Sequence, residues 1–475
     1  MNNSLKFIVY FLSFIGACSL IILLWEVAFE DIISGSPNGD EVVIDDDRNQ
    51  KIQRFSSGNH LLFENQTNPN AEEGVKAFNR ENYNEAYQQF RKAVNNAPGD
   101  PEVQIYLNNS QARKSGNPFI LAAVVPVDAN KDNAEEMLRG VAQAQTQFNR
   151  QGINGRLLEI RIFNDSNNKD YAREVAKEII NSDYILGVIG HNSSGASSEG
   201  LKEYERAGMA MISPTSTSTD LSGNSFFRTV PSDAKAGQFL ARYAIENKIR
   251  NVAILYTSTS NYSKSLKDAF VNGFKSLGDD IEVVDMSESD FNPKNTVEEL
   301  KNQVDGFVLF PNTNKKILDL SLQVADANAN LANPKKLLGG DALYKLSTLA
   351  SSKGGVRGLV LAVPWFAKST YSYANLAEKR WRGRVSWRTA TSYDATKAFI
   401  EALSDDATRK SVLTNLEKTS LPSSETSGER LRFFINNEDG NSVLKNGDRD
   451  TKPLLVRVIP QINKYAEYDF EVIED

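Results

Sequence analysis

Thiol and imidazole are nearly missing from this chain: Cys18 is the one cysteine, and His60 and His191 are the two histidines. No internal disulfide can form, and two histidines are poor material for a His-based metal site. An excess of basic charge is also missing. Lys and Arg number 54 against 61 Asp and Glu, a net charge of −7, which argues against nucleic acid as a main partner. There is no Gly-x-Ser-x-Gly motif, since His191 occupies the place of the first Gly relative to Ser193. No histidine follows the serines, as a triad in the usual hydrolase order requires. Asp165, Asp220 and Asp341 are too scattered in sequence to argue for paired carboxylates, and neither a phosphate-binding Gly loop nor a metal-ligand cluster is present. The chain reads as a non-enzyme without cofactor. With 475 residues, 40% hydrophobic and 24% charged, it has ample apolar material for two or three domains.

Residues 7–25 carry no charge, and about 20 such residues span a bilayer as a helix. Lys6 precedes them and Glu26, Glu30 and Asp31 follow, so the positive-inside rule leaves the bulk of the chain outside the cytoplasm. Residues 1–30 are therefore expected to be a single-pass plasma-membrane anchor. Ile15-Gly16-Ala17-Cys18 offers a lipid-anchor alternative, but the apolar run continues past the cysteine. Residues 31–70 are polar and turn-rich and read as a flexible linker. Residues 71–116 change to helical periodicity. Gly74, Tyr83, Ala86, Phe90, Ala93 and Pro98 follow the roughly 34-residue tetratricopeptide pattern, with Asn70 and Ala77 departing from it. They predict a small all-α helix pair with a covering third helix. A single such repeat is marginal alone and is expected to pack on a neighbour. A protein partner at this segment is one reading; a spacer is the other.

From residue 117 the pattern becomes regular βα alternation, which predicts two doubly wound parallel sheets. Strands are expected at 119–125, 157–163, 184–189, 252–256, 281–286, 306–310, 336–338 and 358–363, with helices between them and further helices near 371–382 and 391–403. Val230-Pro231 and Pro364-Trp365 read as crossings between lobes. The first lobe takes residues 117–230 and 364–440, the second 231–363 and 441–475. The stretch Gly187-Val188-Ile189-Gly190 is a buried strand running into His191-Asn192-Ser193-Ser194-Gly195. Met211-Ile212-Ser213 runs likewise into Pro214-Thr215-Ser216-Thr217. Both hydroxyl-rich turns follow strand carboxyl ends, where open α/β sheets bind ligands. Free N–H groups at a helix start, with Ser and Thr hydroxyls, suit a small carboxylate.

From about Pro118 to the C-terminus these residues resemble the type I periplasmic binding proteins, and within them the leucine/isoleucine/valine-binding proteins of ABC importers. The resemblance rests on Met137-Leu138-Arg139-Gly140, Val188-Ile189-Gly190-His191, Met211 to Thr217, Phe227-Arg228-Thr229, Gly339-Gly340-Asp341 and Tyr393-Asp394-Ala395, in collinear order. It implies a hinged two-lobe fold on the periplasmic side that clasps an amino acid and hands it to an ABC permease. By motif match, Ser194 and Thr217, with Ser216 in the same turn, would hold the ligand's α-carboxylate. Asp341 and the Thr215 carbonyl would hold its ammonium, and Tyr262 would reach in from the second lobe.

Alternatives stand beside these roles. Asp341 is also placed to cap the helix at Ala342, and Ser194, Thr217 and Tyr262 also sit at helix starts or turns. Asn192 and Ser193 replace the apolar wall of leucine-type sites, and Thr313 stands where a Tyr is common. Polar walls disfavour an apolar side chain, since an unpaired buried polar group costs about 1–3 kcal/mol. A polar or small amino acid, or a related amide, is expected instead of leucine. A membrane-tethered sensing receptor using the same fold without transport is the rival function.

Overall fold

The computed structural model describes residues 54–63, 68–275, 280–351, 354–435, 445–461 and 467–474. Strand β1 (Phe55–Ser56) is followed by helices α1 (Pro69–Asn79), α2 (Tyr83–Asn96) and α3 (Pro101–Ser115). Then come β2 (Phe119–Val125), α4 (Lys131–Phe148), β3 (Leu158–Asn164), α5 (Lys169–Ile180), β4 (Ile185–Ile189), α6 (Ser194–Ala207), β5 (Met211–Ser213) and β6 (Phe226–Arg228). After the first crossing the order is α7 (Asp233–Glu246), β7 (Val252–Tyr256), α8 (Asn261–Phe274), β8 (Ile281–Asp285), α9 (Pro293–Leu300), β9 (Gly306–Leu309), α10 (Lys315–Ala329) and β10 (Lys336–Gly339). A single turn of 3₁₀ helix (Asp341–Leu343), α11 (Leu346–Ser351) and β11 (Val360–Val363) close this run. The chain ends with α12 (Ser372–Trp381), α13 (Trp387–Ala402), α14 (Arg409–Leu416), the short pair β12 (Ser420–Leu421) and β13 (Leu431–Arg432), and the hairpin β14 (Leu454–Pro460) and β15 (Tyr468–Val472).

Two large sheets result. The first runs β1-β3-β2-β4-β5-β6 and the second β15-β14-β11-β10-β9-β7-β8. Neither is wholly parallel, contrary to what βα alternation alone predicts. β1 joins β3 antiparallel, β14 joins β11 antiparallel, and β15 pairs with β14 as a hairpin. Every residue of β2 is buried, since helices cover both faces of its sheet. The helix α6 shows how local sequence delimits these elements. Ser193 Oγ accepts from Ala196 N at its start, and Gly208 at φ 59° ends it. On one face of the first sheet α4 packs on α13 so closely that a Cβ at Gly140 would meet the Thr389 carbonyl at 2.2 Å.

The N-terminal helices are part of the first lobe. Phe78, Phe90, Ile105 and Tyr106 share one apolar core with Leu121, Leu138 and Trp387. Within the segment, a Cβ at Gly74 would enter the Phe90 ring, so α1 and α2 touch directly. α3 lies between that pair and the sheet edge and is buried nearly all round. Its polar residues replace what an edge strand lacks. Asn109 donates to the carbonyls of Ile160 (2.7 Å) and Ser57 (2.9 Å) and accepts from Ile160 N (2.9 Å) and Gln145 Nε2 (2.8 Å). Arg113 and Arg161 both pair with the fully buried Glu159. Residues 54–63, expected to belong to a featureless linker, pair with β3 and cover its edge. That placement protects an otherwise open strand. The anchor expected at 7–25 lies outside the described residues, and among the described residues no helix is long and apolar enough to cross a membrane.

Two outcomes follow from this packing. Asn109→Ala removes four hydrogen bonds, most of them buried, and is expected to cost about 2–4 kcal/mol, read by urea denaturation; a loss under about 0.5 kcal/mol would show that α3 does not hold the sheet edge. Second, burial raises three acids. Asp100 is pushed up to about 6, and Glu102 and Asp233 to about 7. Each binds its proton more tightly folded than unfolded, so this stabilising contribution is complete below about pH 4 and is lost as pH rises through 6–7. The Tm should fall by a few degrees between about pH 5 and about pH 7.5, and a Tm rising across that window contradicts the assignment.

Candidate functional site

β4 delivers its chain to the site through Gly190, at φ 138°, where a Cβ would meet the Val124 carbonyl at 2.5 Å. The next residue, His191, is fully buried. Its Nδ1 lies 2.7 Å from Asp165 Oδ2 and its Nε2 3.1 Å from Tyr204 Oη. Both ring nitrogens are thus engaged away from the serines, which removes the imidazole as a base for any of them. The His191 carbonyl instead gathers hydroxyls: Ser213 at 3.0 Å, Thr215 at 3.3 Å, and Ser197 and Ser216 at 3.4 Å. Much of the hydroxyl content of the two turns is spent on fastening them to each other.

In front of these turns lies a cavity of about 330 Å³ between the lobes. Residues at or just before the amino ends of six helices line it: Asn133 of α4, Lys169 of α5, Ser193, Ser194 and Gly195 of α6, Asn261 and Tyr262 of α8, Asn314 of α10, and Trp387 and Arg388 of α13. Each of these helix starts has a side-chain cap on part of its first turn and carries about half a positive charge. The walls are rich in carboxamides, and Asn133, Asn192 and Asn167 form a chain, with Asn133 Nδ2 3.4 Å from Asn192 Oδ1 and Asn192 Nδ2 3.1 Å from Asn167 Oδ1. The lobes touch across the opening. Asn130 Nδ2 donates to the Thr313 carbonyl at 3.4 Å, and Thr219 N to Ser265 Oγ at 2.8 Å.

Asp341 is the one acid in the lining. β10 ends at Gly339 and presents it at the head of the 3₁₀ turn. Tyr262 Oη donates to its Oδ1 at 2.7 Å. A Cβ on the neighbouring Gly340 would strike that hydroxyl at 2.4 Å. Burial raises the Asp341 carboxyl above its ordinary range, while the Tyr262 hydrogen bond and the Arg388 charge oppose the rise. Behind it, burial raises Asp233, helped by the Asp341 charge and opposed by the Thr217 and Ser265 hydroxyls.

Asn192, Ser193, Ser194, Thr215, Tyr262, Thr313 and Asp341 all line the cavity. Ser216 and Thr217 do not. Ser216 Oγ lies 2.7 Å from Ser197 Oγ, turned into the lobe. The Thr217 carbonyl accepts from Asp233 N and from Arg228 Nη1, which draws the residue behind the wall. Among the residues that sequence reading passed over, Trp387 and Arg388 stand out. A helix expected to start near 391 begins at Trp387, with Ser386 Oγ accepting from Arg388 N. That serine was the available signal, as a helix-start residue ahead of the periodic run.

Comparison with known proteins places this geometry. A family model described as periplasmic binding protein matches residues 128–441. The Leu/Ile/Val-binding protein of Escherichia coli (strain K12) is 30% identical over 146 residues, covering 30% of this chain and 39% of that protein. An amino acid binding protein of Pseudomonas aeruginosa is 28% identical over 155 residues, covering 32% and 41%. The chain thus spans about two-fifths of the length of these curated relatives. The crystal structure of a leucine binding protein from Thermotoga maritima superposes with a TM-score of 0.63 at 17% identity, over 74% of this chain and 98% of that one, a likeness of fold. The helices α1 to α3 lie outside the family match, and the tetratricopeptide reading gains no support from it. The expected single-pass inner-membrane location is corrected to what the findings carry. The family is periplasmic, and no helix among the described residues is fit to cross a membrane. Members of the family bind solutes and do not catalyse, in keeping with the engaged His191. Matched over most of its length, this chain belongs to the periplasmic binding protein family, with the type I fold of two α/β lobes.

Proposed function

We propose that the two lobes close around an amino acid that is polar or small, or a related amide, and deliver it to an ABC permease. The observation that carries this reading is the pairing of opposites across one cavity: Asp341, held by Tyr262, against the amino end of α6. A zwitterion fits such a pair, with its carboxylate on N–H groups and its ammonium on the acid. Ser194, with the backbone N–H groups at the start of α6, would take the carboxylate, while Thr217 and Ser216 brace that turn from behind. The Thr215 carbonyl would share the ammonium with Asp341. Its hydroxyl is turned away to the Asn192 carbonyl at 2.8 Å. Tyr262 and Thr313 would close from the second lobe, and Asn192 and Ser193 would wall the side chain. The carboxamide-rich lining favours a side chain that can hydrogen-bond. The names of the relatives support an amino-acid ligand.

Calorimetric titration of the chain, freed of co-purified small molecules, over a panel of amino acids tests the proposal. At least one polar or small amino acid should bind. Asp341→Ala should weaken that ligand by about 100-fold or more, and Tyr262→Phe by about tenfold. Tight leucine binding with no response to polar or small amino acids would sink the proposed specificity. An unaltered affinity in Asp341→Ala would sink the proposed pole.

A further inference from the structure

Arg388 is the second residue of α13, and only 2% of its side chain is exposed. Its guanidinium lies over the Trp387 indole at 4.2 Å, and the residue lines the cavity. A guanidinium carries five N–H donors in a planar fork. Among the described residues its single ion pair, with Glu136 Oε2, spans 3.6 Å, beyond hydrogen-bond length. A buried arginine without hydrogen bonds is costly. The cavity it lines is where further partners for its donors can come from. Beside it, the buried Trp387 Nε1 has no partner among the described residues.

The surrounding charge has the same sign. The cavity lining holds Arg388 and Lys169 against the single acid Asp341, and the helix ends described above add positive potential. Lys345 follows the 3₁₀ turn on the second lobe. Burial and the Arg388 charge hold it down to about 8, against the pull of Glu136 and Asp132. Once Asp341 is committed to an ammonium, the contact with Glu136 at 3.6 Å is what remains among the described residues to balance Arg388.

We infer that the ligand carries a second carboxylate, received by Arg388, so that the amino acid bound here is an acidic one. This rests on the amino-acid reading above and narrows it. A planar guanidinium meets a carboxylate through two parallel N–H bonds, whereas a carboxamide, with one oxygen, leaves a donor facing an NH₂ group.

The test is titration of the whole chain with two matched pairs, glutamate against glutamine and aspartate against asparagine. The acid should bind about tenfold or more tightly than its amide in at least one pair. In Arg388→Gln that preference should collapse to about one. Arg388→Lys should retain part of it, which separates loss of charge from loss of fold. Equal or tighter binding of the amides in both pairs overturns the inference, as does a preference that survives Arg388→Gln. If other amino acids bind but none of these four does, this inference fails and the amino-acid reading stands. If no amino acid binds, both fail.

Discussion

One carboxylate facing the amino ends of six helices is the constraint on which this molecule turns. Parallel strands with crossover helices bring helix starts to a single side of each sheet. Two such sheets placed mouth to mouth would make a cleft of positive potential alone. Asp341 breaks that uniformity, and it needs help to do so. Burial raises its carboxyl, and the Tyr262 hydroxyl and the Arg388 charge keep the ionised form accessible. The result is a cavity with two unlike ends, the polarity on which the proposed orientation of a zwitterion rests.

The remainder of the first lobe keeps those ends still. The His191 carbonyl draws four hydroxyls inward, and Arg228 holds the Thr217 and Ser218 carbonyls. Further pins come from late in the chain: Asp448 meets Arg228, and Arg449 meets Asp394 at 2.7 Å. These ion pairs are buried, where losing one partner strands a charge. On the outer flank, α3 and β1 close the sheet edge at β3, through Asn109 and the Glu159 cluster. The N-terminal helices therefore act as a wall of the lobe that carries the ligand turns.

Local signals made most of this frame readable. The runs ending at Gly190 and Ser213, the serine cap of α6 and the Gly-Gly-Asp ending of β10 all depend on neighbours in sequence, and all were placed within a residue or two. Asp341, Tyr262 and Ser194 are legible for that reason as residues that line the cavity. What escaped depends on distant partners. Ser216 and Thr217 belong by sequence to the ligand turn, yet Ser197, 19 residues earlier, and Arg228, 11 residues later, decide where they face. Arg388 was hidden because α13 is buried nearly all round and shows no apolar period to mark its start. The Asn108–Asn109 pair on α3 gives no periodic signal, since its value lies in bonds to β3 and α4. β1 is two residues long, below what alternation can reveal.

The claim that Asp341 holds an ammonium is tested most directly by changing the ligand and the acid together. Calorimetry would compare a bound amino acid with its analogue in which hydroxyl replaces the α-amino group, on the native chain and on Asp341→Asn. The account predicts that the replacement costs about 100-fold on the native chain and less than about threefold on the variant. Equal losses on both proteins would contradict it.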